Sequence, residues 1–235
     1  MQLIFKLGKN PLLSIAEIYS LMHSKEIDFE VIKANNSIFF IKLKTPIYPD
    51  VLIKILGGVI EIFRVDEIIN YTEAKKVKPQ FKVNIDDKTF AYGIILAKQD
   101  IKDFEKKEIE KPYVEGKSGM VPSKLAKIMV NLAIGKNTTT IYDPYCGTGS
   151  ILIEALLQGY KVIGTDISPE VIEGCSKNLN WISKEYGVEN RSEVFVNNAS
   201  SLAEQLVRQN ETIAISTEPF LGKSWTKPVQ TQELY

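Results

Sequence analysis

Strict alternation of strand-like and helix-like segments from Lys124 to Thr217 is the feature that most constrains this chain. Leu125, Ile128, Met129 and Leu132 recur at helical spacing, so Lys124 to Ile134 reads as a helix. A strand over Thr140 to Tyr145, a helix over Gly149 to Leu157, a strand over Lys161 to Asp166 and a helix over Pro169 to Tyr186 follow. A strand over Glu193 to Val196, a helix over Ser201 to Gln209 and a strand over Thr212 to Thr217 complete the series. Apolar strands separated in this way bury themselves as a parallel sheet with crossover helices.

The first part of the chain has a different order. Gln2 to Leu7 reads as a strand, and Ser14 can cap a helix from Ile15 to about His23 with Glu17 at the capping-box position. Strands over Phe29 to Lys33 and Ser37 to Leu43 flank the turn pair Asn35-Asn36. Pro49-Asp50 opens a helix that Gly57-Gly58 stops, and Val59 to Val65 is the next strand. The order β-α-β-β-α-β is that of a ferredoxin-like unit. A strand pair over Phe81 to Ile85 and Phe90 to Ala97 turns at Asp86-Asp87-Lys88. The expected fold is therefore α/β: a Rossmann-like sheet preceded by an α+β ferredoxin-like N-terminal domain. Between them, Lys98 to Gly119 is dense in charge and holds Pro112, Gly116 and Gly119, which reads as an exposed connector. The expected division is 1–98, a connector at 99–116, and 117–235.

Lys plus Arg and Asp plus Glu are 29 each, so bulk charge gives no nucleic-acid field, although a local patch remains open. Lys75, Lys76, Lys78 and Lys82 form one such cluster, more in keeping with a solvated face. The most apolar stretch, Val51 to Val65, is interrupted by Lys54 and Glu61, so no membrane span is expected. No basic and then apolar leader opens the chain, and Cys146 and Cys175 make no disulfide framework. With His23, they are too few for an ordinary structural zinc site. A cytoplasmic protein without a metal is the expectation.

The sharpest motif is Asp143-Pro144-Tyr145-Cys146-Gly147-Thr148-Gly149, which leaves a strand and opens a helix. Gly147 and Gly149 admit close backbone approach, and a helix N-terminus aims amides at a ligand. Residue 152 is leucine, so the three-glycine fingerprint of hydride-transfer enzymes is incomplete. Asp166 closes the next strand, where a carboxylate can accept both ribose hydroxyls of an adenosyl cofactor. Asn198 is placed either to bond an adenine edge or to form an Asx turn. Thr217-Glu218-Pro219-Phe220 leaves the fourth strand at the edge where open α/β sheets hold ligands. Cys146 reads as a small buried residue of the loop and His23 as helix surface or packing.

These residues resemble the S-adenosylmethionine-dependent amino-methyltransferases. More closely, the chain resembles the archaeal-type, THUMP-associated tRNA guanine-N2 methyltransferases acting on guanosine 10. The stretch from Lys117 through Pro122-Ser123-Lys124-Leu125-Ala126 to Ala133 is similar to the one preceding that family's first strand. Phe5-Lys6-Leu7-Gly8 and Gly57-Gly58 are similar to its amino-terminal module. The resemblance implies S-adenosyl-L-methionine as cofactor, held by Lys124, Asp143, Pro144, Tyr145, Cys146, Gly147, Thr148, Gly149, Asp166, Ile167, Asn198 and Ala199. It implies catalysis by Glu218, Pro219 and Phe220 and a tRNA, or other structured RNA, as substrate.

The family's catalytic stretch is Asp-Pro-Pro-Tyr, whereas this chain reads Glu218-Pro219-Phe220-Leu221. Asn198 stands where the family usually has Asp. The longer carboxylate implies slow turnover or a changed substrate. A non-catalytic, partner-dependent descendant and an amino-methyltransferase of rRNA or DNA are the alternatives. The THUMP-type region is short, and the parallel sheet shows four strands and stops soon after the catalytic one. A truncated chain, a second subunit completing the sheet, or binding without turnover is expected.

Overall fold

The computed structural model describes residues 1–70, 81–115, 120–199 and 211–219. The first sheet contains β1 (Gln2–Leu7), β2 (Phe29–Ala34), β3 (Ile38–Leu43), β4 (Val59–Asn70), β5 (Phe81–Asn84) and β6 (Thr89–Lys98), with α1 (Pro11–Ser24) and α2 (Pro49–Ile55) between its early strands. Its order is β2-β3-β1-β4-β6-β5, and every neighbouring pair is antiparallel. The first four strands thus have the ferredoxin-like order, and the β5–β6 hairpin extends the sheet beyond β4. Lys82 of the expected lysine cluster stacks on Phe90, its Nζ 3.9 Å from the ring centre; the other three lysines lie outside the described residues.

Among the differences from expectation, that in β4 has a tertiary cause and that in α1 a local one. β4 runs on to Asn70 because β6 pairs with it from Glu61↔Lys98 to Asn70↔Thr89, across a run that lacks clean alternation. α1 begins at Pro11, where a missing N–H costs nothing. Ser14 and Glu17 therefore sit inside the helix and form no capping box. The Ser14 hydroxyl donates to the Gly58 carbonyl at 2.8 Å. The Glu17 carboxylate accepts the Gly57 and Gly58 amides at 2.7 and 2.8 Å and the Asn131 amide at 2.7 Å.

Those contacts join the two halves. A Cβ on Gly57 would stand 2.4 Å from the Lys124 carbonyl, and one on Gly58 would stand 2.5 Å from Ser14 Oγ. The pair is glycine so that the end of α2 can press against α1 and α4 (Ser123–Ala133). α4 lies between α1 and α5 (Ser150–Leu157), and its Ala126 and Val130 are wholly buried. One apolar core consequently runs from Phe5, Phe39 and Ile62 through Val130 to Leu152 and Ile182. Each large aliphatic side chain buried there contributes about 1.5–3 kcal/mol.

The charged connector is not simply solvated. Asp100 caps a helix, α3 (Ile101–Ile109), by accepting the Lys102 and Asp103 amides. Phe104 and Lys107 on α3 are buried. Lys107 Nζ lies 2.7 Å from Glu154 of α5 and 2.9 Å from Asp103. Lys127 of α4 lies 3.5 Å from the same Glu154 and donates to the Lys54 carbonyl at 2.7 Å. A charge run reads as solvent-facing unless its partners are known, and here the partner is a glutamate 47 positions downstream of Lys107.

The second sheet holds β7 (Thr140–Asp143), β8 (Lys161–Asp166), β9 (Ser192–Val196) and β10 (Ile213–Ile215), all parallel, in the order β10-β7-β8-β9. α6 (Pro169–Tyr186) crosses between β8 and β9. The strand order reverses direction at β7, which places a topological switch point between β7 and β10. The expected helix over 201–209 lies outside the described residues. Among the described residues, no helix is long and apolar enough to cross a membrane.

Candidate functional site

The carboxyl ends of β7, β8 and β10 bring most of the sequence-predicted residues together. β7 ends on Asp143, which is buried. Its Oδ1 accepts the Thr217 hydroxyl at 2.6 Å and the Tyr145 amide at 3.1 Å. Burial, with Asp166 and Glu218 nearby, pushes the Asp143 carboxyl up from 3.8 to about 7. Thr217 and Glu218 follow β10 after Ser216, so this hydrogen bond fastens the exit of the fourth strand to the exit of the first.

The loop from Pro144 to Gly149 is shaped by two glycines at positive φ, Gly147 at 50° and Gly149 at 89°. A Cβ on Gly149 would also stand 2.8 Å from Cys175 Sγ. Cys146 and Cys175 are buried, free thiols, and their mutual hydrogen bond and burial push the Cys146 thiol well above its ordinary range. Cys146 is thus a buried residue of the loop, its amide donating to the Thr165 carbonyl at 2.9 Å. Asp166 accepts the Gly147 amide at 3.3 Å and the Ser168 amide at 3.0 Å. Each carboxylate oxygen keeps a further acceptor site for a ligand hydroxyl.

Large apolar side chains stand open along this same rim: Tyr145 at 46%, Ile167 at 74% and Val196 at 49% exposure. A planar apolar ring covered by such groups, with Asp166 beside it, is the arrangement an adenosine requires. The positive-φ cradle, the open rim and the acceptor pair together fit S-adenosyl-L-methionine. Among the described residues, no group of acidic, histidine and cysteine side chains could hold a metal.

Other sequence-predicted residues are placed less directly. Lys124 turns its Nζ onto the Phe104 ring, 5.1 Å from the ring centre. The Asn197 side chain bonds the Asn198 amide at 2.7 Å, so local turn chemistry is present at the end of β9. Ala199 is half-buried and Pro219 is exposed, while Phe220 lies outside the described residues. His23 is an exposed residue near the end of α1.

Two residues the sequence reading passed over also belong here. Lys111 of the connector is only 6% exposed, and its Nζ lies 3.4 Å from Thr148 Oγ1. Tyr113 donates its amide to Asn178 Oδ1 and receives the Asn178 side-chain amide, both at 2.9 Å; that side chain also reaches the Thr148 carbonyl at 2.9 Å. The Tyr113 ring fits α6 only because residue 174 is glycine: a Cβ there would stand 2.1 Å from the ring. The connector thus lies over the glycine loop. Its only sequence signal was a Pro-Tyr pair within a charge run. Two clefts around Lys136, Gly159 and Arg191 lie elsewhere and hold none of these groups.

Comparison with known proteins agrees with this geometry. Residues 114–235 match the family model described as UPF0020, RMKL-like, methyltransferase domain. The chain is 37% identical over 144 residues to a tRNA (guanine(10)-N2)-dimethyltransferase of Pyrococcus abyssi, covering 61% of this chain and 41% of that protein. It is 40% identical over 119 residues to the protein of that name from Methanothermobacter thermautotrophicus, covering 50% and 32%. The chain thus spans less than half the length of these curated relatives. The crystal structure of TrmN from Thermus thermophilus superposes with a TM-score of 0.52 at 12% identity, over 94% of this chain and 80% of that one, a likeness of fold.

Proposed function

We propose, since this chain belongs to the RMKL-like methyltransferase domain family, that it transfers a methyl group from S-adenosyl-L-methionine to N2 of a guanosine in tRNA. The observation that carries the reading is the junction of Asp143, Thr217 and Glu218 beside the glycine loop. It joins the loop suited to a cofactor to the strand suited to catalysis. Residues 117–235 would form the catalytic domain, 99–116 the connector and 1–98 the RNA-facing module.

S-adenosyl-L-methionine, when bound, supplies an electrophilic methyl group on a sulfonium. Gly147 and Gly149 leave room for it, Asp166 accepts its ribose hydroxyls, and Tyr145, Ile167 and Ala199 border its rings. The lone pair of an exocyclic guanine amine is delocalised into the ring, so alignment and hydrogen bonding carry more of the barrier than a strong base. Glu218 and the Pro219 carbonyl accept hydrogen bonds from the amine and localise that lone pair, the amine's proton passes to solvent once the N–C bond has formed and the S–C bond has broken, and Phe220 would stack a base turned out of its helix. β10 has one neighbour among the described residues, β7, and its other edge is where a second subunit or further strands would add.

The test is incubation of the protein with methyl-labelled cofactor and total tRNA. Label in guanosine that is lost in Glu218→Gln supports the assignment. Cofactor binding without label in RNA would instead favour a non-catalytic binding protein. That second reading draws on Glu218, whose side chain is one methylene longer than the aspartate of the resembled catalytic stretch; a shift of roughly 1 Å in the carboxylate would cost about a hundredfold.

A further inference from the structure

Lys111 occupies an environment that a cation should avoid. Its side chain is almost wholly buried, and its Nζ has one hydrogen bond among the described residues, a long one of 3.4 Å to the neutral Thr148 hydroxyl. Glu108, the carboxylate whose charge acts on it, already accepts the Ser123 amide at 2.9 Å. Thr148 directly precedes Gly149, the N-cap of α5, so the ammonium also sits at the positive end of a helix. A buried cation is costly unless an anion meets it, and a helix N-terminus adds to the repulsion. Both features are relieved by one event, the arrival of a negative group at the glycine loop. The connector is held in place to await that group, since Tyr113 is tied to Asn178 and seated on Gly174.

We propose that Lys111 is the counter-ion for the carboxylate at the amino-acid end of the bound cofactor. The assignment rests on the proposed use of S-adenosyl-L-methionine and adds a residue that lies before the cofactor loop in sequence. It makes the connector part of the binding site, so that cofactor binding and connector docking reinforce each other. A phosphate of the RNA could supply the same charge, and the experiment separates the two sources.

Calorimetric titration of the full chain with S-adenosyl-L-methionine, and with its decarboxylated analogue, tests the proposal. A charge-assisted hydrogen bond corresponds to roughly tenfold to hundredfold in affinity. Lys111→Met should weaken S-adenosyl-L-methionine by about that factor and leave the decarboxylated analogue within about threefold. Lys111→Arg should restore most of the loss. The free Lys111→Met protein should unfold at no lower temperature than wild type, because an uncompensated buried charge is gone. Equal weakening of both ligands, or a loss of tRNA affinity with cofactor affinity unchanged, would overturn the assignment. Wild type that binds neither ligand would overturn the proposed function and this inference with it.

Discussion

Replacing Asp143 with asparagine should stabilise the free protein at neutral pH, although Asp143 lies at the centre of the site. Both hydrogen bonds that Asp143 accepts, from Thr217 and Tyr145, converge on Oδ1. An asparagine oxygen placed there keeps both, and its amide replaces the other oxygen, so the side chain mimics the protonated acid. In the wild type, burial raises the folded-state value from 3.8 to about 7. The sign follows from proton counts. Between those values the folded state holds a proton that the unfolded state has released, so stability falls as pH rises and levels off above about 7. At about 1.4 kcal/mol per pH unit over roughly three units, the whole effect is about 4 kcal/mol. From pH 5 to pH 8 the advantage of Asp143→Asn should therefore grow by about 3 kcal/mol. Urea unfolding of both proteins at a series of pH values measures it, and comparing the two cancels the titrating groups that do not interact with Asp143. A stability difference that stays flat from pH 5 to pH 8, or a variant less stable than wild type at pH 8, would refute the reasoning.

Glu17→Ala should destabilise the protein by about 3 kcal/mol, because the Gly57 and Gly58 amides lose their acceptor in a buried place. The unfolding midpoint, followed by circular dichroism, should drop by roughly 6–12 °C. Gly174→Ala should favour helix α6 by about 1 kcal/mol through propensity yet dislodge the Tyr113 ring it would strike. Hydrogen exchange should then quicken at the Tyr113 amide while the α6 amides stay protected.

The sequence by itself defined most of the elements, although α3 was hidden in the charge run of the connector. The 3.6- and 2-residue periods over Gln2–Leu7, Lys161–Asp166 and Pro169–Tyr186 coincide with β1, β8 and α6, because each is bounded by its own turn residues and buries one kind of face. The shape of the glycine loop was equally legible, since positive φ at Gly147 and Gly149 is a local demand that only certain residues meet. The β-α-β-β-α-β order even anticipated the β2-β3-β1-β4 arrangement.

What the tertiary structure decided concerns partners that are far apart in the chain. Glu17 reads as a capping residue until Gly57, Gly58 and Asn131 converge on it. Lys107 and Lys111 read as solvated charges until Glu154 and Thr148 are seen beside them. Thr217 is an ordinary strand-end residue until the parallel pairing of β10 with β7 lays it on Asp143. The difference has one physical reason. Periodicity, turn chemistry and glycine conformation are written over a few consecutive residues, whereas burial of a charge is set by whatever the fold brings against it. In this protein those buried charges join the two sheets and shape the rim of the site.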